Sequence, residues 1–470
     1  MAPLACGIDI GSSNLKVALV SADGRVAALE TAATPRIAVD GAVETDAAAL
    51  VDTLERMVLA AWRRSGAAAP IAALATGGIG EDGVAVDAGL RPLGHAVPWF
   101  DLRAAAEAEE LAAAFPNADA ATGIGFEPTR TAAKWLWLAR HRPDALPREA
   151  TWIALTDFPL VRWSGRPFMA GSLAARTACF DLARQAWVPA LLAAARAPRL
   201  PPVLRAGAAV GPVRPDCPLV GAGALRPDAL LVAGGHDHPL AASLIRALAS
   251  AAIADSVGTA ELLYGESDRP LAHRPPIVRS APIDGDAAEA CLYVLPFAQL
   301  LAGFDPAAVR AALAVPPPVD AFAGPAESLA DALPLAGPIA RPSGDRPQAI
   351  WRTLEAAAYA VRLVLADMAR MGLADGPLYA TGGWVRPDPL AGMRAAALGR
   401  TVRRVREPEL VALGAARLAM RALGPVSAPP EARLAVDVFA PSPSAAALHE
   451  VRYRSAAPAL SAALHLMEDP

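Results

Sequence analysis

Apolar residues recur along this chain in two patterns, short strand-length runs and longer runs with helical spacing. Strand-length runs occur at residues 5–10 (ACGIDI) and 15–20 (LKVALV), on either side of a Gly/Ser/Asn turn. Apolar residues three and four positions apart mark helices over residues 46–65 and 347–371, because such positions share one helix face. Strands that alternate with helices in this way predict an α/β fold.

The stretch LLVAGGHDHPLAAS, at residues 230–243, is the strongest candidate for a chemical site. Its apolar run ends in two glycines, Asp237 follows two positions later, and residues 239–248 are predicted to form a helix. The sequence therefore predicts Asp237 on a tight turn between a strand and a helix, where open α/β sheets bind ligands. A carboxylate there would act as a general base or would cap the helix, and the stretch alone allows both.

The turn of the first hairpin is rich in small polar residues, Gly11, Ser12 and Ser13. Backbone N–H groups and hydroxyls in such a turn form a nest that binds anions. Asp9 beside it would hold Mg²⁺, and Lys16 would reach a phosphate. A plain hairpin turn remains the alternative, and no Walker-type GxxxxGK[ST] motif occurs.

A glycine-rich loop carrying Glu81 and Asp82 follows an apolar strand at residues 71–75. Acids in a loop at a strand end would bind the hydroxyl groups of a polyol. A mobile surface turn explains the same composition, so both interpretations stay open.

Residues 251–264 repeat the plan of the first hairpin, with an acid, Gly258 and Thr259 in a loop between two strands. One such hairpin in each half suggests two similar domains. We place the boundary so that one domain covers residues 1–230 and the other residues 231–470.

A second glycine turn, Gly382-Gly383-Trp384, follows a predicted strand at residues 377–380. Small residues also surround Ala412 in the segment 408–416. Small-residue loops near a sheet edge suit a flat nucleobase, although tight helix packing uses the same residues.

The composition limits the number of domains, the kinds of partner and the cellular compartment that we expect. A chain of 470 residues exceeds the usual size of one core, so two domains are expected. A net charge of −4 gives no reason to expect nucleic acid or an anionic membrane as partner. Four cysteines without a CxxC pair, no signal-peptide pattern and no long uncharged apolar run together favour the cytoplasm.

Taken in order over nearly the whole chain, these motifs resemble the FGGY family of carbohydrate kinases. The matching segments are GIDIGSSNLKVALV (first phosphate loop), PWFDLRA (W-x-D-x-R), GGHDH (catalytic base), SVGTAE (second phosphate loop) and TGGWVRPDPLAGMRAAALGRTVRR with ELVALGAARLA (adenosine site). The resemblance implies two actin-like, ribonuclease-H-like domains with a cleft between them, the fold of hexokinase and the Hsp70 ATPase domain.

The resemblance also implies roles for individual residues. Asp237 would be the catalytic base, and Asp9 would organise the Mg²⁺ ion. The phosphates and the rest of ATP would be bound by Gly11, Ser12, Ser13, Lys16, Gly258, Thr259, Gly382, Gly383, Trp384 and Ala412. The substrate would contact Glu81, Asp82, Trp99, Asp101, Thr129 and Asp237.

The implied activity is ATP-dependent phosphorylation of a hydroxyl group on a small open-chain sugar. The layout is most similar to the xylulokinases of the family, which implies a ketopentose such as xylulose. The alternatives are a polyol or another sugar (glycerol, erythritol, ribulose, fuculose or gluconate), an actin- or Hsp70-like ATPase without a sugar, and a sensor that binds sugar without turnover. A homodimer is the general expectation for such a protein.

Overall fold

The computed structural model describes residues 3–66, 69–258, 260–283, 285–318, 321–322, 325–326, 329, 347–424 and 429–465. The strands are β1 (Leu4–Ile10), β2 (Asn14–Ser21), β3 (Val26–Ala33), β4 (Arg36–Val39), β5 (Ala42–Thr45), β6 (Ile71–Gly78), β7 (Gly83–Val86), β8 (Thr151–Ala154), β9 (Met169–Ala170), β10 (Phe180–Asp181), β11 (Ala186–Trp187), β12 (Val203–Leu204), β13 (Ala209–Pro212), β14 (Leu225–His236), β15 (Ile253–Val257), β16 (Glu261–Ser267), β17 (Val278–Ser280), β18 (Glu289–Leu295), β19 (Leu378–Thr381), β20 (Val402–Val405) and β21 (Val436–Phe439).

The helices alternate with these strands along much of the chain, as the apolar pattern predicts. They are α1 (Ala47–Arg64), α2 (Ala105–Ala114), α3 (Asp119–Thr122), α4 (Thr131–His141), α5 (Phe158–Ser164), α6 (Gly171–Ala174), α7 (Pro189–Ala194), α8 (Pro218–Gly221), α9 (Asp237–Leu248), α10 (Phe297–Leu301), α11 (Pro306–Leu313), α12 (Pro347–Arg370), α13 (Asp388–Leu398), α14 (Leu410–Ala422) and α15 (Pro443–Ala463). None of the helices in the described part of the chain is long and apolar enough to cross a membrane.

The chain divides into two compact units, each made of several segments. The first unit comprises Met1–Ala247, Arg279–Ala290 and Glu409–Arg433; the second comprises Leu248–Val278, Cys291–Pro408 and Leu434–Pro470. The boundary predicted between residues 230 and 231 falls inside β14, so the units do not coincide with the two predicted sequence halves.

A six-stranded sheet with the order β13-β14-β6-β1-β2-β3 forms the centre of the first unit. The predicted hairpin β1–β2 is confirmed as an antiparallel pair, with Asp9 opposite Lys16. Helix α1 packs its apolar face against this sheet and is capped by the Asp46 carboxylate, which accepts the backbone N–H groups of Ala48 and Ala49. The apolar periodicity and the cap together explain why this helix begins and ends as predicted.

The second unit has its own sheet, with the order β17-β18-β16-β15-β19-β20-β21. The predicted second hairpin is confirmed as the antiparallel pair β15–β16. The long helix α12 buries Trp351, Leu354 and Val361 in the core of this unit. Each unit therefore has a separate hydrophobic core, as expected for a chain of this length.

Residues 194–218 are rich in proline and alanine, yet they contribute to the first sheet. They contain β13, which pairs antiparallel with β14 and forms the edge of the first sheet. The strand is short and ends in Pro212, a residue that sheets accept at edges because it cannot donate a backbone hydrogen bond. The proline and alanine residues around β13 give no alternation of apolar and polar positions from which a strand could be predicted.

Candidate active site

Three parallel strands of the first unit end at the same edge of the sheet. In the register of β1, β6 and β14, Asp9 is paired with Gly77, and Gly77 is paired with Gly235. Asp9, the loop after β6 and Asp237 therefore emerge together at the carboxyl ends of these strands. In α/β sheets this is the edge at which ligands bind.

Asp237 is the first residue of α9 and directly follows β14, as the sequence predicts. Its side chain is 27% exposed, and its Oδ1 accepts the backbone N–H of His238 at 2.6 Å. The imidazole Nε2 of His236 lies 3.2 Å from the same oxygen. The Asp237 side chain therefore bonds to the adjacent backbone and is still accessible to a substrate.

Asp9 is buried close to Asp237. Burial and the negative charge of Asp237 together raise the pKa of Asp9 to about 7, although the nearby Lys16 ammonium opposes the rise. A divalent cation would supply the positive charge that this pair of carboxylates lacks, so the residues fit the Mg²⁺ expected here. Within the described ranges no group of three or more His, Cys, Asp or Glu side chains is arranged to hold a metal. Mg²⁺ would therefore take its other ligands from water and phosphate oxygens.

Lys16 forms an ion pair that the sequence analysis missed. Its Nζ lies 2.7 Å from Oε2 of Glu409, the residue that precedes α14. The lysine side chain is 27% exposed and remains next to the first phosphate loop on β2. A role in phosphate binding remains a prediction, and it requires Lys16 to exchange or share its partner.

The first phosphate loop has the geometry of a tight turn. The Gly11 N–H donates to the Asn14 carbonyl at 3.0 Å, and a Cβ at Gly11 would lie 2.7 Å from that oxygen. Ser12 and Ser13 are at least partly exposed. The Trp99 Nε1–H donates to Ser12 Oγ at 2.8 Å, so the structure brings Trp99 of the W-x-D-x-R segment to this loop.

Glu81 is buried between two arginines that sequence reasoning did not identify. Its Oε1 accepts Arg130 Nη1 at 3.0 Å and Arg176 Nε at 2.7 Å, and Arg176 Nη2 donates to it as well. Burial alone raises the pKa of Glu81, but the Arg176 and Arg130 charges outweigh it and lower the pKa to about 2. The carboxylate is therefore ionised and already held by cationic partners.

Asp82 and Asp101 are also held by basic side chains. Asp82 is fully buried, 3.6 Å from Lys134 Nζ, and burial raises its pKa to about 6 while the Lys134 charge opposes the rise. Asp101 accepts Arg103 Nε at 3.0 Å and Nη2 at 2.7 Å. Of the predicted substrate contacts, Trp99 is the most exposed, at 42%.

Thr129 is half-buried next to the arginine cluster. Its Oγ1 lies 3.4 Å from Glu127 Oε2, a long contact for a hydroxyl donor. The adjacent Arg130 is the side chain from this loop that reaches Glu81. Substrate contact by Asp82, Asp101 and Thr129 remains a prediction.

In the second unit, the second phosphate loop and the second glycine turn lie side by side. The strands β15 and β19 are parallel, with Ser256 paired with Thr381 at their carboxyl ends. Gly382 has φ +100°, and a Cβ there would lie 2.3 Å from the Val257 carbonyl oxygen. The Trp384 N–H donates to the same oxygen at 3.3 Å. We call this point, where the backbone of Gly382 passes the Val257 carbonyl oxygen, the crossing; only a glycine fits there.

The other predicted nucleotide residues of this unit lie around the crossing. The Gly258 N–H donates to Ala260 at 2.9 Å, and Gly383 is exposed with open space around its Cα. The half-buried Trp384 ring lies 6.0 Å from the Phe297 ring. Thr259 lies outside the described residues.

A buried charge cluster supports this hairpin and was not predicted. Arg394 of α13 donates Nη2 to Asp255 Oδ2 at 2.6 Å and also to Glu261. Asp255 is on β15 and Glu261 begins β16, so one guanidinium binds both strands of the hairpin. Burial raises the pKa of Glu261 to about 8, although the Arg394 charge opposes this.

Ala412 belongs to a helix that packs directly on the first sheet. It is fully buried in α14, and a Cβ at Gly7 of β1 would lie 1.8 Å from the Ala412 carbonyl oxygen. This contact supports the tight-packing interpretation of the small residues near Ala412. A nucleotide contact by Ala412 remains a prediction.

Comparisons with known proteins match two long segments of the chain to one family. Residues 4–243 match the N-terminal domain, and residues 322–423 the C-terminal domain, of the FGGY family of carbohydrate kinases. Xylulose kinase of Escherichia coli (strain K12) is 29% identical over 192 residues, which is 40% of this chain and 39% of that protein. The matched part thus spans well under half the length of that relative.

Two solved structures cover almost the whole chain. A xylulose kinase from Rhodospirillum rubrum has a TM-score of 0.85 at 22% identity, covering 98% of this chain and 99% of its own. A gluconate kinase from Lactobacillus acidophilus has a TM-score of 0.82 at 18% identity, covering 99% of both chains. These similarities confirm the predicted α/β, actin-like fold class.

Proposed function

The chain belongs to the FGGY family of carbohydrate kinases, and we propose that it transfers the terminal phosphoryl group of ATP to a hydroxyl group of a small open-chain sugar. The observation that carries this proposal is the edge of the first sheet. There Asp9, near the end of β1, and the partly exposed Asp237, directly after β14, lie on either side of β6 and on the same edge as the loop Gly11–Ser13. An acid for a metal, a base for a hydroxyl and a turn for a phosphate are the parts that phosphoryl transfer requires.

In this reaction Asp237 accepts the proton of the attacking hydroxyl while the hydroxyl oxygen bonds to the terminal phosphorus atom. The bond from that phosphorus to ADP breaks, and ADP leaves with its electron pair. Asp9 would hold Mg²⁺, which, when bound, neutralises charge on the phosphates. The backbone and hydroxyls of Gly11, Ser12 and Ser13 bind phosphate oxygens, and Lys16 adds a positive charge. Catalysis comes mainly from positioning and charge neutralisation.

The loops of the second unit contribute the remaining nucleotide contacts in this proposal. Gly258 and Thr259 bind the transferred phosphate, while Gly382 and Gly383 leave room for the nucleotide. Trp384 offers an aromatic face for stacking on adenine, since its side chain is only half-buried. The crossing at Gly382 supports this assignment, because it fixes the turn next to the end of β15.

A ketopentose such as xylulose is the first candidate substrate. Support comes from the 29% identity to the Escherichia coli xylulose kinase, over 192 residues. Trp99, exposed beside Ser12, would pack against the sugar carbons.

A sugar acid such as gluconate is the second candidate. The observation favouring it is that Glu81 is already enclosed by Arg130 and Arg176, which places two guanidinium groups at this edge of the sheet. Guanidinium groups bind carboxylates with good geometry.

A coupled ADP-release assay over ketopentoses, polyols and sugar acids tests the proposal. We expect ADP release that depends on one class of sugar and that is lost in Asp237→Asn. ATP hydrolysis unaffected by every sugar would instead support an ATPase of the actin or Hsp70 kind. Sugar binding by calorimetry without any ADP release would support a sensor.

A further inference from the structure

The carbonyl oxygens of the first phosphate loop are bound by one short segment of the chain. Thr34 Oγ1 donates to the Gly11 oxygen at 2.7 Å, and the Thr34 backbone N–H donates to the Ser13 oxygen at 3.0 Å. Arg36 Nη2 donates to the Ser12 oxygen between them. Thr34 follows β3 and Arg36 begins β4, and neither was among the residues predicted for the site. All three carbonyl groups therefore point towards the connection between β3 and β4.

A bound carbonyl also sets the direction of the neighbouring N–H group, because the two point in opposite directions in a trans peptide unit. The Gly11 carbonyl is turned towards Thr34, so the Ser12 N–H points away from it. The Ser12 carbonyl is turned towards Arg36, so the Ser13 N–H points away in the same manner. Neither N–H donates a hydrogen bond to any residue that the structure describes, and both serines are at least partly exposed. Two backbone donors are thus left for a ligand.

The Ser12 hydroxyl is oriented by a separate contact. Trp99 Nε1–H donates to Ser12 Oγ at 2.8 Å, and an indole N–H can act only as a donor. The hydroxyl accepts this bond and keeps its own hydrogen for another acceptor. Ser12 and Ser13 together therefore offer three donors, two backbone N–H groups and one hydroxyl.

Arg36 is fixed by more than its bond to the loop. Its Nη1 donates to Oγ1 of Thr45, a fully buried residue at the end of β5. The guanidinium carbon lies 5.4 Å from the centre of the Phe100 ring, within the range of a cation–π contact. The Phe100 ring in turn packs edge-on against Trp99, with 5.8 Å between the ring centroids. The planar guanidinium group makes these contacts at the same time, which a lysine ammonium group could not do.

We propose that Thr34 and Arg36 are positioning residues for the first phosphate loop: they bind its carbonyl oxygens and so leave only donors facing the terminal phosphates of ATP. This inference rests on the proposed kinase function. A phosphate oxygen and a carbonyl oxygen are both acceptors and repel each other, so a loop that could turn a carbonyl towards ATP would bind it less well. Thr34 and Arg36 act through the loop in this proposal and do not contact the nucleotide.

Titration with two nucleotides tests the role of Thr34. Thr34→Val keeps the shape of the side chain but removes the hydroxyl donor. We expect it to weaken ATP binding about fivefold, the usual effect of one lost hydrogen bond, and to change AMP binding by less than about twofold, because AMP lacks the terminal phosphates. Thr34→Ser keeps the hydroxyl and should retain most of the affinity for ATP. The control Thr53→Val removes a hydroxyl that bonds within α1, to the Ala49 carbonyl at 2.7 Å, and should change neither affinity.

Arg36→Lys separates positioning from simple attraction by charge. It keeps the positive charge but cannot make all the contacts of the guanidinium group. We expect ATP binding to fall about fivefold or more, whereas attraction by charge alone would preserve it. The control Arg64→Lys changes an exposed arginine that donates to the Leu29 carbonyl of β3 at 3.1 Å, and it should leave ATP binding unchanged. A ratio of ATP affinity to AMP affinity that is unchanged in both Thr34→Val and Arg36→Lys overturns the proposal.

Amide hydrogen exchange gives a readout that needs no turnover. In the free protein the Ser12 and Ser13 N–H groups should exchange rapidly, and ATP but not AMP should slow their exchange. Thr34→Val should reduce this protection at equal nucleotide occupancy. Equal protection by AMP would contradict the placement of the terminal phosphates at this loop. Protection by ATP in a protein that phosphorylates no sugar would refute the proposed function and leave the positioning role standing, whereas a protein that binds no ATP would refute both.

Discussion

Lys16 and Glu409 form an ion pair in the first unit, with 2.7 Å between Nζ and Oε2, although they are far apart in the sequence. Lys16 belongs to β2 beside the first phosphate loop, and Glu409 directly precedes α14, which packs on β1. The lysine proposed to bind phosphate is thus held by a carboxylate before any nucleotide binds. A phosphate would compete with that carboxylate for the ammonium group.

This competition predicts opposite effects of two substitutions. Lys16→Ala should weaken ATP binding about tenfold, because a positive charge next to the phosphates is lost. Glu409→Gln should leave ATP binding unchanged or strengthen it, since Lys16 is released from its carboxylate. Calorimetric titration with ATP measures both. Equal affinity in Lys16→Ala and the unsubstituted protein would show that Lys16 does not contact the nucleotide.

Asp237→Asn should reduce sugar-dependent phosphorylation by about 100-fold or more, because the amide cannot accept the hydroxyl proton. ATP affinity should persist, since the substitution keeps the side-chain shape and the phosphate loops. A suitable control is Asp228→Asn, which changes an exposed carboxylate that is paired with Arg226. Near-normal turnover in Asp237→Asn would remove this residue from the mechanism.

The location of Asp237 could be predicted from sequence because the signals are local. An apolar run, two glycines and a helix with proline in its first turn specify a strand, a bend and a helix start within a few residues. The partners of Glu81 could not be predicted in the same way. Arg130 and Arg176 come from segments about 50 and 95 positions further along the chain, and only the folded chain brings them to one carboxylate. The ion pair of Lys16 was missed for the same reason.

Because of Glu81, the free energy of unfolding should decrease as the pH becomes acidic. Its pKa falls from 4.5 to about 2 on folding, since the effects of Arg176 and Arg130 outweigh that of burial. The associated stability is present above the unfolded-state pKa and is lost as the pH falls through 4.5 towards 2. Between about pH 6 and pH 3.5, the unsubstituted protein should lose about 1 kcal/mol more unfolding free energy than Glu81→Gln does. Urea denaturation at a series of pH values measures this difference; parallel curves for the two proteins would contradict it.

Arg394 should be essential for the second unit, because it is the buried cation between Asp255 and Glu261. Arg394→Met keeps the length of the side chain but leaves the negative charge of the buried Asp255–Glu261 pair without its counter-charge. Breaking a buried ion pair in this way costs about 3–5 kcal/mol. We expect chemical denaturation to show a loss of this size in Arg394→Met. The triple substitution with Asp255→Asn and Glu261→Gln should recover much of it, since neutral side chains no longer require the guanidinium. If Arg394→Met left the stability unchanged, the cluster would be solvated, contrary to its full burial in the structure.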